Sequence, residues 1–199
     1  MFTGIIQCLG TLTEISDRGA DMRLAIAAPQ LDASRAGVGD SIAVNGVCLT
    51  AVEITGQGFY ADVSRETLTH TTLGMLDPQT QVNLETALTP SSALGGHLVS
   101  GHVDGLGQIL ERRKDARSDY FRIQAPQALA RYIPRKGSIC IDGVSLTIND
   151  VDAAQFSVNI VPHTLQHTCM SDYQVGQNVN LEVDQIARYL ERLLLAQQS

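Results

Sequence analysis

The sequence predicts an all-β protein: two similar small antiparallel barrels in tandem, related by internal duplication, plus one C-terminal helix. Three observations carry this. A shift of 97 residues lays Gly4, Gly46, Thr50, Thr67, His70 and Glu85 on Gly101, Gly143, Thr147, Thr164, His167 and Glu182, and 24 of the 82 residues from 4 to 85 match without a gap. Composition alone yields far fewer matches, and a repeat of this length is domain-sized. Short alternating runs dominate each copy, and the hydrophobic period changes sharply only near the C-terminus. Two similar modules imply two similar pockets, suited to two copies of one ligand.

In the first module the β-patterned runs are Met22–Ala27, Ser41–Ile54, Phe59–Val63 and Gln81–Glu85. Their partners are Tyr120–Gln124, Ser138–Val151, Phe156–Ile160 and Asn178–Val183. Ser41-Ile42-Ala43-Val44 and Ser157-Val158-Asn159-Ile160 alternate as half-buried strands do. Asn-Gly, Asp-Gly and Gly-Gln-Gly punctuate them as turns. Closely spaced short strands favour a barrel, which also removes exposed sheet edges. The segment from Thr89 to Gly96 is the natural joint, giving expected units of 1–97, 98–184 and 185–199. From Asp184 to Gln198, Ile186, Tyr189, Leu190, Leu193 and Leu194 recur at helical spacing as one apolar stripe. Such a helix packs on its own barrel or joins copies of the chain. Self-association is favoured, because the helix lies outside the duplicated unit.

Composition narrows the function. A net charge of −7, no Trp and 5% aromatic residues argue against a nucleic-acid footprint. No apolar run is long enough to span a bilayer, and the N-terminus carries no signal-peptide pattern. Cys8, Cys48, Cys140 and Cys169 form no CxxC pair, which suits reduced thiols in a cytoplasmic protein. Phosphate-loop, nucleophile-elbow, zinc-protease and dinucleotide fingerprints are missing. His163 and His167 lie four apart but lack a third ligand, so no metal site is expected.

The duplication also acts as a filter on residues. Gly-Val-x-Leu-Thr is kept around an exchange of Cys48 for Ser145, two small groups able to act as nucleophiles or merely to pack. Ile5 becomes His102, and an imidazole with an ordinary pKa near ~6.5 suits proton transfer at neutral pH. Ala87 against Asp184 is a third asymmetric pair. Asp62-Val63-Ser64-Arg65-Glu66-Thr67 and Asn159-Ile160-Val161-Pro162-His163-Thr164 read either as ligand-facing loops or as ordinary strand exits.

Met1-Phe2-Thr3-Gly4-Ile5-Ile6, the Asn45–Thr50 and Asp142–Thr147 runs, and Gly95-Gly96-His97 through Ser100–Gly105 together resemble the riboflavin synthases of α-chain type, over essentially the whole chain. The resemblance implies six-stranded Greek-key barrels and a homotrimer held by the C-terminal helices. It implies dismutation of two 6,7-dimethyl-8-ribityllumazines, by four-carbon transfer, to riboflavin and 5-amino-6-(D-ribitylamino)uracil. Neither coenzyme nor metal is implied, since the substrate ring is its own electron sink. The productive pair of rings is expected between the N-terminal barrel of one subunit and the C-terminal barrel of its neighbour. Lumazine synthase, which supplies the substrate, is admitted as a further partner.

Implied ligand contacts are Gly4, Ile5, Ile6, Cys48, Leu49, Thr50, Asp62, Val63, Ser64, Arg65, Glu66 and Thr67 on the first barrel. On the second they are Gly101, His102, Val103, Lys136, Ser145, Leu146, Thr147, Asn159, Ile160, Val161, Pro162, His163 and Thr164. His102 is assigned proton transfer, Ser145 the hydroxyl that adds or orients water at C7, and Cys48 its counterpart. Thr147, Ser41 and Asp184 support them by hydrogen bonding. A non-catalytic lumazine- or flavin-binding antenna protein and a purely structural tandem barrel are the competing readings.

Overall fold

The computed structural model describes residues 1–19, 21–32 and 36–197. The first barrel comprises β1 (Cys8–Arg18), β2 (Asp21–Ala27), β3 (Ser41–Val44), β4 (Val47–Thr55), β5 (Gly58–Val63) and β6 (Gln81–Thr86), with a short helix α1 (Arg65–His70) after β5. The second comprises β7 (Gly105–Asp115), β8 (Ser118–Gln124), β9 (Ser138–Ile141), β10 (Val144–Asp152), β11 (Gln155–Ile160) and β12 (Asn178–Val183), with α2 (Pro162–His167) after β11. Neighbours run β1-β2-β5-β4-β3-β6 and β7-β8-β11-β10-β9-β12, all antiparallel and closed. The fold class predicted from sequence is the one observed.

Each run from position 41 or 138 that reads as one strand is a hairpin. Asn45 and Gly46 fold the first at φ 46° and 75°, and Asp142 and Gly143 the second at 44° and 83°. Two successive positive φ values are the demand of a type I′ turn, which Asn-Gly and Asp-Gly meet most cheaply. These turns also meet each other. A Cβ on Gly46 would lie 2.6 Å from the Gly143 amide nitrogen, so glycine is required there twice over.

Strands β1 and β7 are not among the runs read from the sequence, and like β4 and β10 they are bulged. A bulge between Leu12 and Glu14, and its copy between Ile109 and Glu111, resets the face alternation midway along each strand.

Both barrel interiors are filled. Leu12, Leu24, Ile42, Phe59, Ala61 and Leu84 close the first, and Ile109, Phe121, Ile139, Phe156, Val158 and Leu181 the second. Fully burying each large aliphatic side chain is worth about 1.5–3 kcal/mol. Ligands must therefore sit on the outer walls.

The barrels are joined by reciprocal bonds. Asn83 Nδ2 donates to the Asp142 carbonyl at 2.9 Å, and Asn180 Nδ2 to the Asn45 carbonyl at 2.8 Å. Asn83 Oδ1 accepts from the Cys169 amide and Asn180 Oδ1 from the Thr72 amide, both at 2.8 Å. The repeat thus survives in space as a local two-fold relation.

Helix α3 (Gln185–Ala196) follows directly, with Asp184 as its N-cap accepting from the Ile186 amide at 3.0 Å. Gln198, the expected end of this helix, lies outside the described residues. Arg188 pairs with Asp104, and Glu191 with Arg131 and Tyr132, fixing the helix to the second barrel by its polar side. Its apolar stripe faces away, with Ile186 66% and Tyr189 70% exposed. Among the described residues no helix is long and apolar enough to cross a membrane.

Candidate active site

On β4 the side chains of Val47 and Leu49 point into the core, so Cys48 and Thr50 point out of it. Ser41 on β3 pairs directly with Thr50 and shares that outer face. On β10 the same alternation buries Val144 and Ile148 and turns Ser145 and Thr147 outward. The Cys48/Ser145 exchange therefore lies on an accessible wall in both copies.

The wall is completed by the other half of the chain. Thr3 donates through its amide and hydroxyl to Glu85 Oε1 at 2.7 and 2.6 Å, and the Gly4 amide donates to Oε2 at 3.0 Å. Ser100 and Gly101 bind Glu182 in the same way, at 2.6, 2.7 and 2.9 Å. Burial raises both glutamate pKa values, while these donors oppose the shift. Anchored on its own barrel, each loop crosses to the other. The Ser145 amide donates to the Gly4 carbonyl at 2.7 Å, and the Cys48 amide to the Gly101 carbonyl at 2.8 Å. Ile6 packs on the core of the second barrel and Val103 on that of the first. The sequence grouping placed Gly4–Ile6 with the first barrel and Gly101–Val103 with the second; in the structure each segment is anchored on its own barrel and also reaches the other. Ile5 borders a hollow with Gln7, Glu85 and Thr86. Spacing along the chain cannot reveal such an exchange.

Beside Cys48 the crossing loop encloses a cleft of about 400 Å³, lined by Cys48, Glu66, Thr67, His70, His102 and Val103 among others. This lies within the range of small-molecule sites. His102 is exposed there and also borders a hollow of about 380 Å³ beside α3, with Glu182, Arg188 and Arg192.

The wall around Ser145 is built differently. Ser145 Oγ lies 2.7 Å from Nδ1 of His97, a residue only 8% exposed. Burial pushes the His97 pKa below its ordinary value, and the Asp184 carboxylate opposes that shift. Burial thus favours the neutral ring, and Nε2 is buried with no partner among the described residues.

Comparison with known proteins agrees with this architecture. The lumazine binding domain family matches the chain twice, at residues 3–87 and 100–184. A riboflavin synthase of Mycobacterium bovis is 46% identical over 198 residues, covering 98% of each chain. The chain belongs to the riboflavin synthase family. A second member, from Photobacterium phosphoreum, is 44% identical over 195 residues, 98% of this chain and 89% of the relative. Among solved structures, LumP complexed with 6,7-dimethyl-8-(1'-D-ribityl)lumazine superposes with a TM-score of 0.82 at 26% identity, covering 92% of this chain and 99% of LumP.

Within this riboflavin synthase family member, the remaining expected contacts fall in several places. Leu49, Val63 and Ile160 bury their side chains, which leaves their backbone for a ligand, and Leu146 packs against the core. Asp62 is engaged by Arg23 through two bonds of 2.7 and 3.0 Å. Asn159 is bonded to Asp115 and Asn149. Ser64 caps α1 by accepting from the Thr67 amide, so Arg65, Glu66 and Thr67 form a helical turn rather than a loop. In the second copy Val161 offers no side-chain cap, and Pro162 at the first turn presets the helix instead. His163 stacks on His167, with ring centres 4.2 Å apart, and Thr164 accepts the Thr168 hydroxyl through its carbonyl. Lys136 takes φ 66° just before β9, its amide donating to the Ile148 carbonyl. Sequence reasoning missed His97. It lies outside the paired stretches, residues 4–85 and 101–182, so a filter built on paired positions is blind to it.

Proposed function

We propose that this chain converts two molecules of 6,7-dimethyl-8-ribityllumazine into riboflavin and 5-amino-6-(D-ribitylamino)uracil, moving a four-carbon unit from one ring to the other. One observation carries the reading: a chain 46% identical to a riboflavin synthase over nearly its full length holds the lumazine-binding unit twice. Units 1–97 and 98–184 each carry one lumazine wall, closed by a loop from the other unit, and 185–199 is the assembly unit.

The main contribution of the protein is orientation. Two rings held face to face react as one unit, without the entropy loss of a bimolecular encounter. Carbanion formation at the 7-methyl group is stabilised by the substrate's own ring. His102 transfers protons, Ser145 presents a hydroxyl at C7, and Cys48 faces the second ring. Thr147 and Ser41 add hydrogen bonds from the same outer faces. Asp184 adds the field that acts on His97.

The assembly is a homotrimer, and the productive pair of rings lies between the N-terminal barrel of one subunit and the C-terminal barrel of the next. Support comes from the uncovered stripe of α3, since exposed apolar patches mark association surfaces. The protein works in the cytoplasm and meets lumazine synthase there, which co-sedimentation tests. The test of function is incubation of purified protein with the lumazine alone. Growth of riboflavin absorbance supports the reading; bound lumazine without turnover, or no binding, contradicts it.

A further inference from the structure

The two walls are unequal in a way that the repeat does not predict. Each carries one sulfur or oxygen nucleophile near a histidine, but the pairs differ. Cys48 shares an open cleft with exposed His102. Ser145 is bonded directly to a buried imidazole at 2.7 Å.

His97 is held there by backbone geometry. The segment from Gly96 to Val99 runs antiparallel to the chain start: the His97 amide donates to the Thr3 carbonyl at 3.1 Å, and Phe2 and Val99 exchange bonds of 2.7 and 3.1 Å. A Cβ on Gly96 would sit 2.1 Å from the Thr3 carbonyl oxygen and 2.9 Å from Ser145 Oγ, so this segment is pressed onto the serine. His97 lies outside the paired stretches, residues 4–85 and 101–182.

We propose that His97 is the positioning residue of Ser145, accepting its hydroxyl proton, and that this pair makes the second barrel the site of oxygen addition. The inference rests on the lumazine reaction proposed above. With the proton of the neutral imidazole on Nε2, Nδ1 offers its lone pair to the serine hydroxyl. As the Oγ–H bond breaks, the proton passes to Nδ1. The freed electron pair forms the bond to the electron-poor ring carbon C7, and the π pair of that carbon moves into the heterocycle. Nothing is oxidised or reduced, and the proton returns to Oγ when the C–O bond breaks. Burial suits this role, since it pushes the imidazole pKa down and so favours an unprotonated Nδ1. The nucleophile and base are within the hydrogen-bond reach that such activation requires.

The experiment compares wild type with His97→Asn, Ser145→Ala and the double variant, measuring riboflavin formation against pH. His97→Asn is expected to lower kcat about 100-fold, a typical general-base contribution, with KM within about threefold. The double variant should be no slower than Ser145→Ala alone, and the acid limb of the kcat profile should vanish in His97→Asn. A His97→Asn rate within about threefold of wild type, an unchanged pH profile, or losses that multiply in the double variant overturns the inference. His97→Gln serves if the asparagine variant fails to fold. Carbon-13 titration of the histidine rings in folded wild type and Ser145→Ala reads the pair without turnover. A His97 resonance that titrates identically in both sinks the pairing, whereas absence of riboflavin from wild type sinks only the reaction assigned above.

Discussion

The amide of Cys48 donates to the carbonyl of Gly101 at 2.8 Å, so a residue of the second half closes the wall of the first barrel. Ser145 and Gly4 repeat the relation in the opposite sense at 2.7 Å. Neither half carries a complete site on its own.

Alanine substitution tests this crossing. Gly101 has φ 80°, and a Cβ there would lie 2.6 Å from the Cys48 Cβ; Gly4 has φ 76° and the same 2.6 Å approach to the Ser145 Cβ. Left-handed backbone alone costs an alanine roughly 1–2 kcal/mol, before the clash. Gly101→Ala should weaken lumazine binding at the first barrel by at least about tenfold, and Gly4→Ala binding at the second, a loss of roughly 1.4 kcal/mol each. Fluorescence titration resolves the two classes of site.

Asp142 supplies a pH test. It is buried, its carboxylate accepting from Tyr173 Oη at 2.5 Å and from the Asn180 amide at 2.7 Å, and burial raises its pKa to about 7. A folded-state pKa above the unfolded value stabilises the native state fully only below the unfolded value. That contribution fades as pH climbs from about 4 to about 7 and stays lost above it. Asn45 does the same job in the first barrel without a charge, accepting from the Asn83 amide at 2.7 Å. Asp142→Asn should therefore stabilise the protein at pH 8 by about 1–3 kcal/mol, with little gain at pH 4, in denaturant titrations at the two pH values.

The α3 stripe predicts assembly. Replacing Leu190 and Leu194 by glutamate places charge on an already exposed face, so each chain should stay folded. Sedimentation velocity should show trimers for the wild type and monomers for the variant. Riboflavin formation should fall at least about tenfold at micromolar protein, since association falls by mass action.

The histidine of the first cleft gives a fourth test. His102→Gln should lower kcat by about 10–100-fold, through loss of a proton-transfer group, in steady-state assays. A large loss from Cys48→Ala with none from His102→Ala would contradict the role assigned to His102.

Much of this was legible in the sequence because duplication prints itself at fixed spacing. Gly46 and Gly143 recur since both turns need positive φ and touch each other, and Glu85 and Glu182 recur since both clamp a crossing loop. The Cys48/Ser145 wall was visible as a difference amid kept neighbours. Other features were hidden. Strands β1 and β7 are not among the runs read from the sequence, although β4 and β10, bulged alike, are. The exchange of Ile6 and Val103 between barrels is a matter of space, which spacing does not encode. His97 lies outside the repeat, and its pairing with Ser145 spans 48 residues.

Titration with a non-reacting lumazine analogue, counting molecules bound per chain, tests the central claim most directly. Two sites of unequal affinity are expected, one beside Cys48 and His102 and one beside Ser145 and His97. Saturation at a single analogue per chain would contradict the account.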